Sequence, residues 1–87
     1  MTTKEHVDIT VRGMDQFGTS FREHAKLIAV ANNELSLSMW RPVRENAFVE
    51  VQFYDNEIYW MSGEIMKVRH QLDGTQTVKL KIYSSVH

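Results

Sequence analysis

The chain has 87 residues, of which 43% are hydrophobic, and its 10 basic and 11 acidic side chains give a net charge of −1. This length suits a single domain, 1–87, with one small core, and the balance of charges argues against an attraction to nucleic acid. The absence of cysteine excludes disulfides and thiolate chemistry. No apolar run approaches the ~20 residues of a transmembrane helix, so we expect a soluble, cytoplasmic protein without a membrane partner.

The first predicted strand lies near the N-terminus, where Val7, Ile9 and Val11 alternate with polar residues. A period of two places these three apolar side chains on one face of a strand. Segment 13–18 then contains two glycines and an aspartate, a composition that predicts a turn.

Segment 20–31 is compatible with two structures. Ser20 and Glu23 have the spacing of a helix capping box, and apolar residues follow at helical spacing. Read as a strand, the same segment alternates, with every second residue from Ala25 to Ala29 on one face. Local propensity leans to the helix, and the sequence pattern leaves both structures open.

The clearest alternation of apolar residues lies between Leu35 and Phe53. It runs from Leu35 to Met39 and resumes from Ala47 to Phe53. The break between the two runs contains Pro42, which cannot donate a hydrogen bond to a strand ladder. We predict two half-buried antiparallel strands that form a hairpin.

Two further strands are predicted in the C-terminal part. Alternation is blurred between Glu57 and His70, and Gly63 is the expected position of a bulge or sharp bend. Asp73-Gly74 tolerates the positive φ of a tight turn and predicts a hairpin with the last strand. The expected interior residues are Val7, Ile9, Leu35, Leu37, Val49, Val51, Ile65, Val78 and Leu80.

The fold class that these segments predict is mostly β. If segment 20–31 is extended, six strands are available, and a small six-stranded antiparallel β-barrel is the expected closure. A short helix at a terminus or in a connection is compatible with this architecture.

The sequence contains no motif for catalysis or for a metal. There is no nucleophile elbow and no glycine-rich phosphate loop, and the histidines lack the spacing of metal ligands. We therefore expect neither an enzyme nor a resident cofactor. The four histidines are His6, His24, His70 and His87.

Tryptophans near cations are the remaining candidates for a binding surface. Trp40 precedes Arg41 and Arg44, and Trp60 precedes the basic stretch 67–69. Small barrels bind single-stranded nucleic acid with such groups, but glutamates in the same strands argue against that function here. The structural alternative is that Trp60 packs in the core and Trp40 covers the rim of the barrel.

Several stretches, among them residues 11–18 and 41–43, resemble the PilZ family. Residues 11–18, Val-Arg-Gly-Met-Asp-x-x-Gly, are similar to the family's Val-Arg-Gly-Thr-Asp-x-x-Gly, and Arg41-Pro42-Val43 is similar to its Arg-Pro-Leu break. Residues 62–65 look like one of its later strands. The resemblance extends from about Val7 to Ile82. It implies a six-stranded barrel in which Ala25 to Val30 is a strand and the capping-box pattern does not start a helix.

The resemblance does not extend to the family's ligand motifs. The best-known members bind cyclic di-GMP through an Arg-x-x-x-Arg segment and an Asp/Asn-x-Ser-x-x-Gly motif, whose arginines fork onto phosphates. Here no two arginines have that spacing, and alignment on Arg41-Pro42 puts Ala29, Ala31 and Glu34 at the Asp/Asn, Ser and Gly positions. The altered residues argue against cyclic di-GMP as a ligand.

We therefore expect a degenerate PilZ-like adaptor in bacterial signalling. Its partner is another protein, the remainder of a longer parent chain or a second copy of itself. The candidate interaction surface lies at the end of the first central strand, in the following connection and on the outward face of the second strand. Its residues are Trp40, Arg41, Arg44 and Phe48. The alternative function is a receptor for cyclic di-GMP or another nucleotide, with Arg12, Arg22 and Arg41 as candidate phosphate contacts.

Overall fold

The computed structural model describes residues 8–53 and 60–83, which form six antiparallel strands and contain no helix. These strands close into a barrel in the order β1-β2-β3-β6-β5-β4, and β4 pairs back to β1. The predicted six-stranded antiparallel barrel is confirmed. Within the described ranges there is no helix of the length and apolarity that would span a membrane. The strands are β1 Asp8–Met14, β2 Ser20–Ala31, β3 Glu34–Met39, β4 Phe48–Phe53, β5 Met61–His70 and β6 Gln76–Tyr83.

Segment 20–31, which the sequence left open, is the 12-residue strand β2. Its first half pairs with β1 as far as Lys26, and its second half pairs with β3 from Lys26 to Ala31. The register shifts between Leu27 and Ala29, which leaves Ile28 as an exposed extra residue. Pairing with two neighbours outweighs a weak local preference for helix.

The expected hairpin between the two central strands is wrong. β3 pairs with β2 and β6, whereas β4 pairs with β1 and β5, so β3 and β4 lie on opposite sides of the barrel. Residues 40–47 cross one end of the barrel, where Val43 is 3% exposed and belongs to the core. Alternation defines the faces of a strand and not its partners, so the pattern could not distinguish a hairpin from a crossing connection.

The core consists of inward residues from all six strands. Every described residue that was expected inside is buried, and Val7 lies outside the described residues. Five further side chains, which come from β1, β2, β3 and the 40–47 connection, point into the barrel and complete the core. The full set is Ile9, Val11, Phe21, Ala25, Leu35, Leu37, Met39, Val43, Val49, Val51, Ile65, Val78 and Leu80.

The irregularity in β5 lies at Met66 and not at Gly63. Pairing with β6 shifts register between Ile65 and Lys67, so Met66 is the extra residue. Gly63 continues the ladder opposite Ile82, and a Cβ at Gly63 would lie 3.1 Å from Ile82 Cδ1. The glycine allows close packing, while the bulge explains the blurred alternation.

The predicted turn at Asp73-Gly74 is confirmed. Gly74 has a φ of 96°. Asp73 Oδ1 accepts hydrogen bonds from the N–H of Thr75 at 2.9 Å and from its hydroxyl at 2.6 Å. The aspartate and the glycine together set the short connection between β5 and β6.

Candidate interaction surface

The connection 40–47 carries three of the four candidate interface residues and is fixed to β2. The Glu23 carboxylate accepts hydrogen bonds from the N–H groups of Trp40 and Arg41, the latter at 2.8 Å. β2 and β3 are paired only as far as Ser38, so the carboxylate takes the place of the carbonyls that a longer ladder would supply. Glu23, which matched a helix capping box in the sequence, therefore holds the start of the 40–47 connection in place.

The turn between β1 and β2 supports the same connection through Asp15, whose side chain is 2% exposed. Asp15 Oδ1 accepts hydrogen bonds from the N–H groups of Thr19 and Phe17, both at 2.9 Å, and Oδ2 lies 3.4 Å from Arg41 Nη1. The hydrogen bond from Thr19, with help from Phe17 and Arg41, holds the pKa of Asp15 below its ordinary value of 3.8, although burial opposes this shift. Asp15 is therefore an ionised anchor under the loop.

Two further hydrogen bonds join this turn to the connection. The Gln16 N–H donates to the Pro42 carbonyl, and Arg44 Nη2 donates to the Gln16 carbonyl, each at 2.9 Å. Two of the stretches that resemble the PilZ family, 11–18 and 41–43, are thus in direct contact at one end of the barrel.

Trp40 is 63% exposed, although one edge of its ring lies against the turn between β5 and β6. A Cβ at Gly74 would lie 3.2 Å from Trp40 Cζ3. Below it, the buried Gln76 donates from Nε2 to the Arg41 carbonyl at 2.7 Å. The backbone here is held firmly while most of the indole faces solvent. Trp40 borders a shallow depression of about 470 Å³ with Arg22, Glu23, Arg41 and Pro42.

Phe48, the fourth candidate, borders a different depression. It is 61% exposed at the start of β4, and its ring centroid lies 6.1 Å from that of Tyr83. Because β3 and β4 are not neighbours, the reason for expecting Trp40 and Phe48 on one patch is wrong. The depression beside Phe48 measures about 520 Å³ and is termed the β1–β4 groove; its lining includes Arg12, Met14, Ser20, Phe48, Glu50 and Ser62.

Two of the three candidate phosphate contacts lie side by side on the barrel. Arg12 of β1 is opposite Arg22 of β2 and Glu50 of β4. Arg12 Nε donates to Glu50 Oε1 at 2.7 Å, and its Cζ lies 3.6 Å from the centroid of the Trp60 ring. Arg22 Cζ lies 5.5 Å from the same ring, so both guanidiniums make cation–π contacts with one indole. Arg41, the third candidate, lies beside Arg22 at the other depression.

Trp60 does not pack in the core, so the structural alternative for this residue is wrong. It is half-buried on the outer surface, and its cationic partners are Arg12 and Arg22 rather than the residues at 67–69. Residue 60 precedes β5, so strand alternation does not govern its direction. Its partners lie about 40 to 50 positions away along the chain, beyond the reach of any local pattern.

The positions that align with the family's second nucleotide motif offer no hydroxyl or amide side chain. Ala29 and Ala31 are exposed near the end of β2. Glu34 begins β3, and its Oε1 lies 3.9 Å from Lys79 Nζ. A carboxylate at this position would repel phosphate.

No group of three or more side chains suited to a metal occurs within residues 8–53 and 60–83. His24 lies on β2 and His70 on β5, while His6 and His87 fall outside the described ranges.

No protein-family model matches the chain, and neither a curated protein nor a solved structure matches it significantly. The case for a function therefore rests on the surface described above.

Proposed function

We propose that the chain is a PilZ-like barrel that acts as a protein-interaction module in bacterial signalling and does not bind cyclic di-GMP. The observation that supports an interaction role is the β1–β4 groove. Met14 and Phe48 are 56% and 61% exposed there, beside the charged pair of Arg12 and Glu50. An exposed apolar surface with a charged rim is typical of protein-binding sites.

The contact between two of the stretches that resemble the PilZ family supports the PilZ-like assignment. Residues 11–18 and 41–43 meet through Gln16 and Pro42 and through Asp15 and Arg41. Both stretches therefore contribute to the same set of contacts, which close one end of the barrel. If residues 11–18 and 41–43 each resembled the PilZ family only by chance, there would be no reason for the two stretches to be in contact.

Phe48 is the proposed anchor of the interface. Tyr83 lies behind its ring, and the Tyr83 hydroxyl donates to Glu64 Oε1 at 2.7 Å. This hydrogen bond raises the pKa of Tyr83 above its ordinary value of 10.0, with burial contributing, and so keeps the hydroxyl protonated as a donor. An aromatic pair that is already ordered loses little entropy when a partner binds. The partner places an apolar side chain between Met14 and Phe48.

The test compares Phe48→Ala with Ile28→Ala, a matched control because Ile28 is 56% exposed on β2. Sedimentation velocity detects a homo-oligomer, and affinity capture from the source cells with mass spectrometry detects another partner. We expect Phe48→Ala to lose the complex that Ile28→Ala retains, while both keep the melting temperature of the parent. A complex that survives Phe48→Ala, or a parent chain that forms none, would contradict the proposal.

A nucleotide receptor is the second candidate, and the group formed by Arg12, Arg22 and Trp60 favours it. Within the described residues the Arg22 guanidinium has no hydrogen bond, so it is available to a phosphate. Arg12, by contrast, is engaged by Glu50. If the chain is a nucleotide receptor, Arg22→Ala abolishes nucleotide binding. If the chain is a protein-interaction module, Arg22→Ala leaves the protein complex intact.

A further inference from the structure

Three cationic side chains lie together on the outer face of β5 and β6. Strand register places Lys67 opposite Lys79 and Arg69 opposite Thr77. On its other side Lys79 is opposite Ser36 of β3. These five residues line a depression of about 270 Å³, which is termed the basic pocket.

The charges of the basic pocket are poorly compensated. Like charges directly opposite each other destabilise a sheet, and Lys67 and Arg69 have no ion pair or hydrogen bond from their side chains within the described residues. Lys79 lies 3.9 Å from Glu34, but the two side chains are 48% and 49% exposed, so this ion pair is weak. The pocket therefore stays positive in a chain whose net charge is −1.

Two hydroxyl groups lie among these cations. Thr77 Oγ1 accepts a hydrogen bond from Gln71 Nε2 at 3.0 Å, which leaves the hydroxyl hydrogen to donate into the pocket. The half-buried Ser36 has no side-chain hydrogen bond within the part of the chain that the structure describes. Ammonium, guanidinium and hydroxyl donors around one cavity are the set that binds a phosphate group.

We propose that the basic pocket binds the phosphate of a small anion, such as pyrophosphate or a phosphorylated metabolite. Lys67 and Lys79 contact the phosphate oxygens from adjacent strands, while Ser36 donates from β3 on the other side of Lys79 and Thr77 donates from its place on β6. The bound anion removes the repulsion between the two lysines, so ligand binding stabilises the fold. This site is separate from the β1–β4 groove and does not depend on the function proposed for that groove.

A compact anion suits this pocket better than a nucleic-acid strand does. Glu34 lies beside Lys79, and Glu45 lies beside β5, where its Oε2 accepts the Val68 N–H at 3.2 Å. The successive phosphates of a strand would meet these carboxylates, whereas a single phosphate or diphosphate stays among the cations. The near-neutral chain adds no long-range attraction for a polyanion.

The experiment is a calorimetric titration of the full chain with pyrophosphate at constant ionic strength. Lys67→Gln and Lys79→Gln are compared with Lys81→Gln, which removes the same charge from β6 two residues further on. Lys81 is opposite Glu34 and Glu64 rather than another lysine. We expect the Kd for pyrophosphate to rise by about 10-fold or more in the two pocket variants and to stay unchanged in Lys81→Gln.

Three results of the binding experiments would overturn the proposal. The first is a titration of the parent that does not saturate, and the second is an equal loss in Lys81→Gln, which indicates general charge attraction. The third is tighter binding of a short single-stranded oligonucleotide with a steep dependence on salt, because it indicates an extended polyanion surface. Competition by inorganic phosphate supports recognition of a single phosphate group.

Thermal unfolding separates loss of the site from loss of the fold. Without ligand, Lys67→Gln should melt at or above the temperature of the parent, because it removes the repulsion with Lys79. At the same concentration, pyrophosphate should raise the melting temperature of the parent by clearly more than that of the Lys67→Gln variant. A Lys67→Gln variant whose ligand-dependent rise equals that of the parent would also overturn the proposal.

Discussion

Two separate constraints act on Gly74. Its φ of 96° lies in the left-handed region, where a side chain costs ~1–2 kcal/mol, and a Cβ there would lie 3.2 Å from the Trp40 ring. Gly18 has a φ of 82° with no heavy atom within 4 Å of such a Cβ. A comparison of Gly74 with Gly18 therefore separates the cost of the left-handed backbone conformation from the cost of the contact with the Trp40 ring.

We predict that Gly74→Val lowers the free energy of unfolding by more than Gly18→Val does. Urea denaturation measures both, and the difference between them should shrink in a Trp40→Ala background, where the ring is absent. If Gly74→Val is as stable as the parent, the turn between β5 and β6 is misassigned.

Asp15 makes folding stability depend on pH in the acidic range. Its pKa is lowered in the folded protein, chiefly by the Thr19 N–H, so the stabilisation is complete above the ordinary value of 3.8 and is lost as pH falls through the lowered pKa. Asp15→Asn should therefore show a shallower loss of stability than the parent over that interval. Acid titration of the melting temperature measures this, and equal slopes would contradict it.

Asp73 provides the comparison for that titration. Its pKa is also lowered, mainly by the Thr75 hydroxyl, but it lies in an exposed turn. Asp73→Asn should likewise flatten the acid slope. However, it should leave the 40–47 connection in place, since Asp73 has no hydrogen bond to that connection among the described residues.

At the level of elements, the 40–47 connection depends on one carboxylate. Glu23 accepts both the Trp40 and the Arg41 N–H, so Glu23→Ala should cost about 1–3 kcal/mol and speed hydrogen exchange at these two amides. Hydrogen exchange followed by NMR measures the local effect. Glu34→Ala is the control because Glu34 makes only a weak surface ion pair within the described residues. Equal exchange in the two variants would contradict the role of Glu23.

The sequence predicted strands and their faces well, and their partners poorly. Alternation correctly placed Leu35 and Val49 inside, because a half-buried strand must present one parity to the core. Pairing depends on contacts between distant segments, so neither the separation of β3 from β4 nor the position of Trp60 could be predicted locally. The same limit applies to the basic pocket, whose lysines are 12 positions apart and meet only through the β5–β6 register.

For the whole molecule, a small barrel has one core and little stability to lose. Leu37 is 0% exposed inside it, so Leu37→Ala should cost about 2–5 kcal/mol, a large part of the ~5–15 kcal/mol that stabilises a typical domain. Leu72 is fully exposed in the turn between β5 and β6, and Leu72→Ala should change almost nothing. Urea denaturation checks both variants, and a tolerated Leu37→Ala would contradict the closed core.

The most direct test of the proposed function is a calorimetric titration of the purified chain with cyclic di-GMP. The exposed Ala29 and Ala31 and the carboxylate of Glu34 lie where the family's motif would supply polar contacts, and Arg12 is already paired with Glu50. We predict no saturable heat of binding at concentrations that fill a competent site. Saturable binding with micromolar affinity, ~8 kcal/mol of binding free energy, would contradict the account and make the chain a nucleotide receptor.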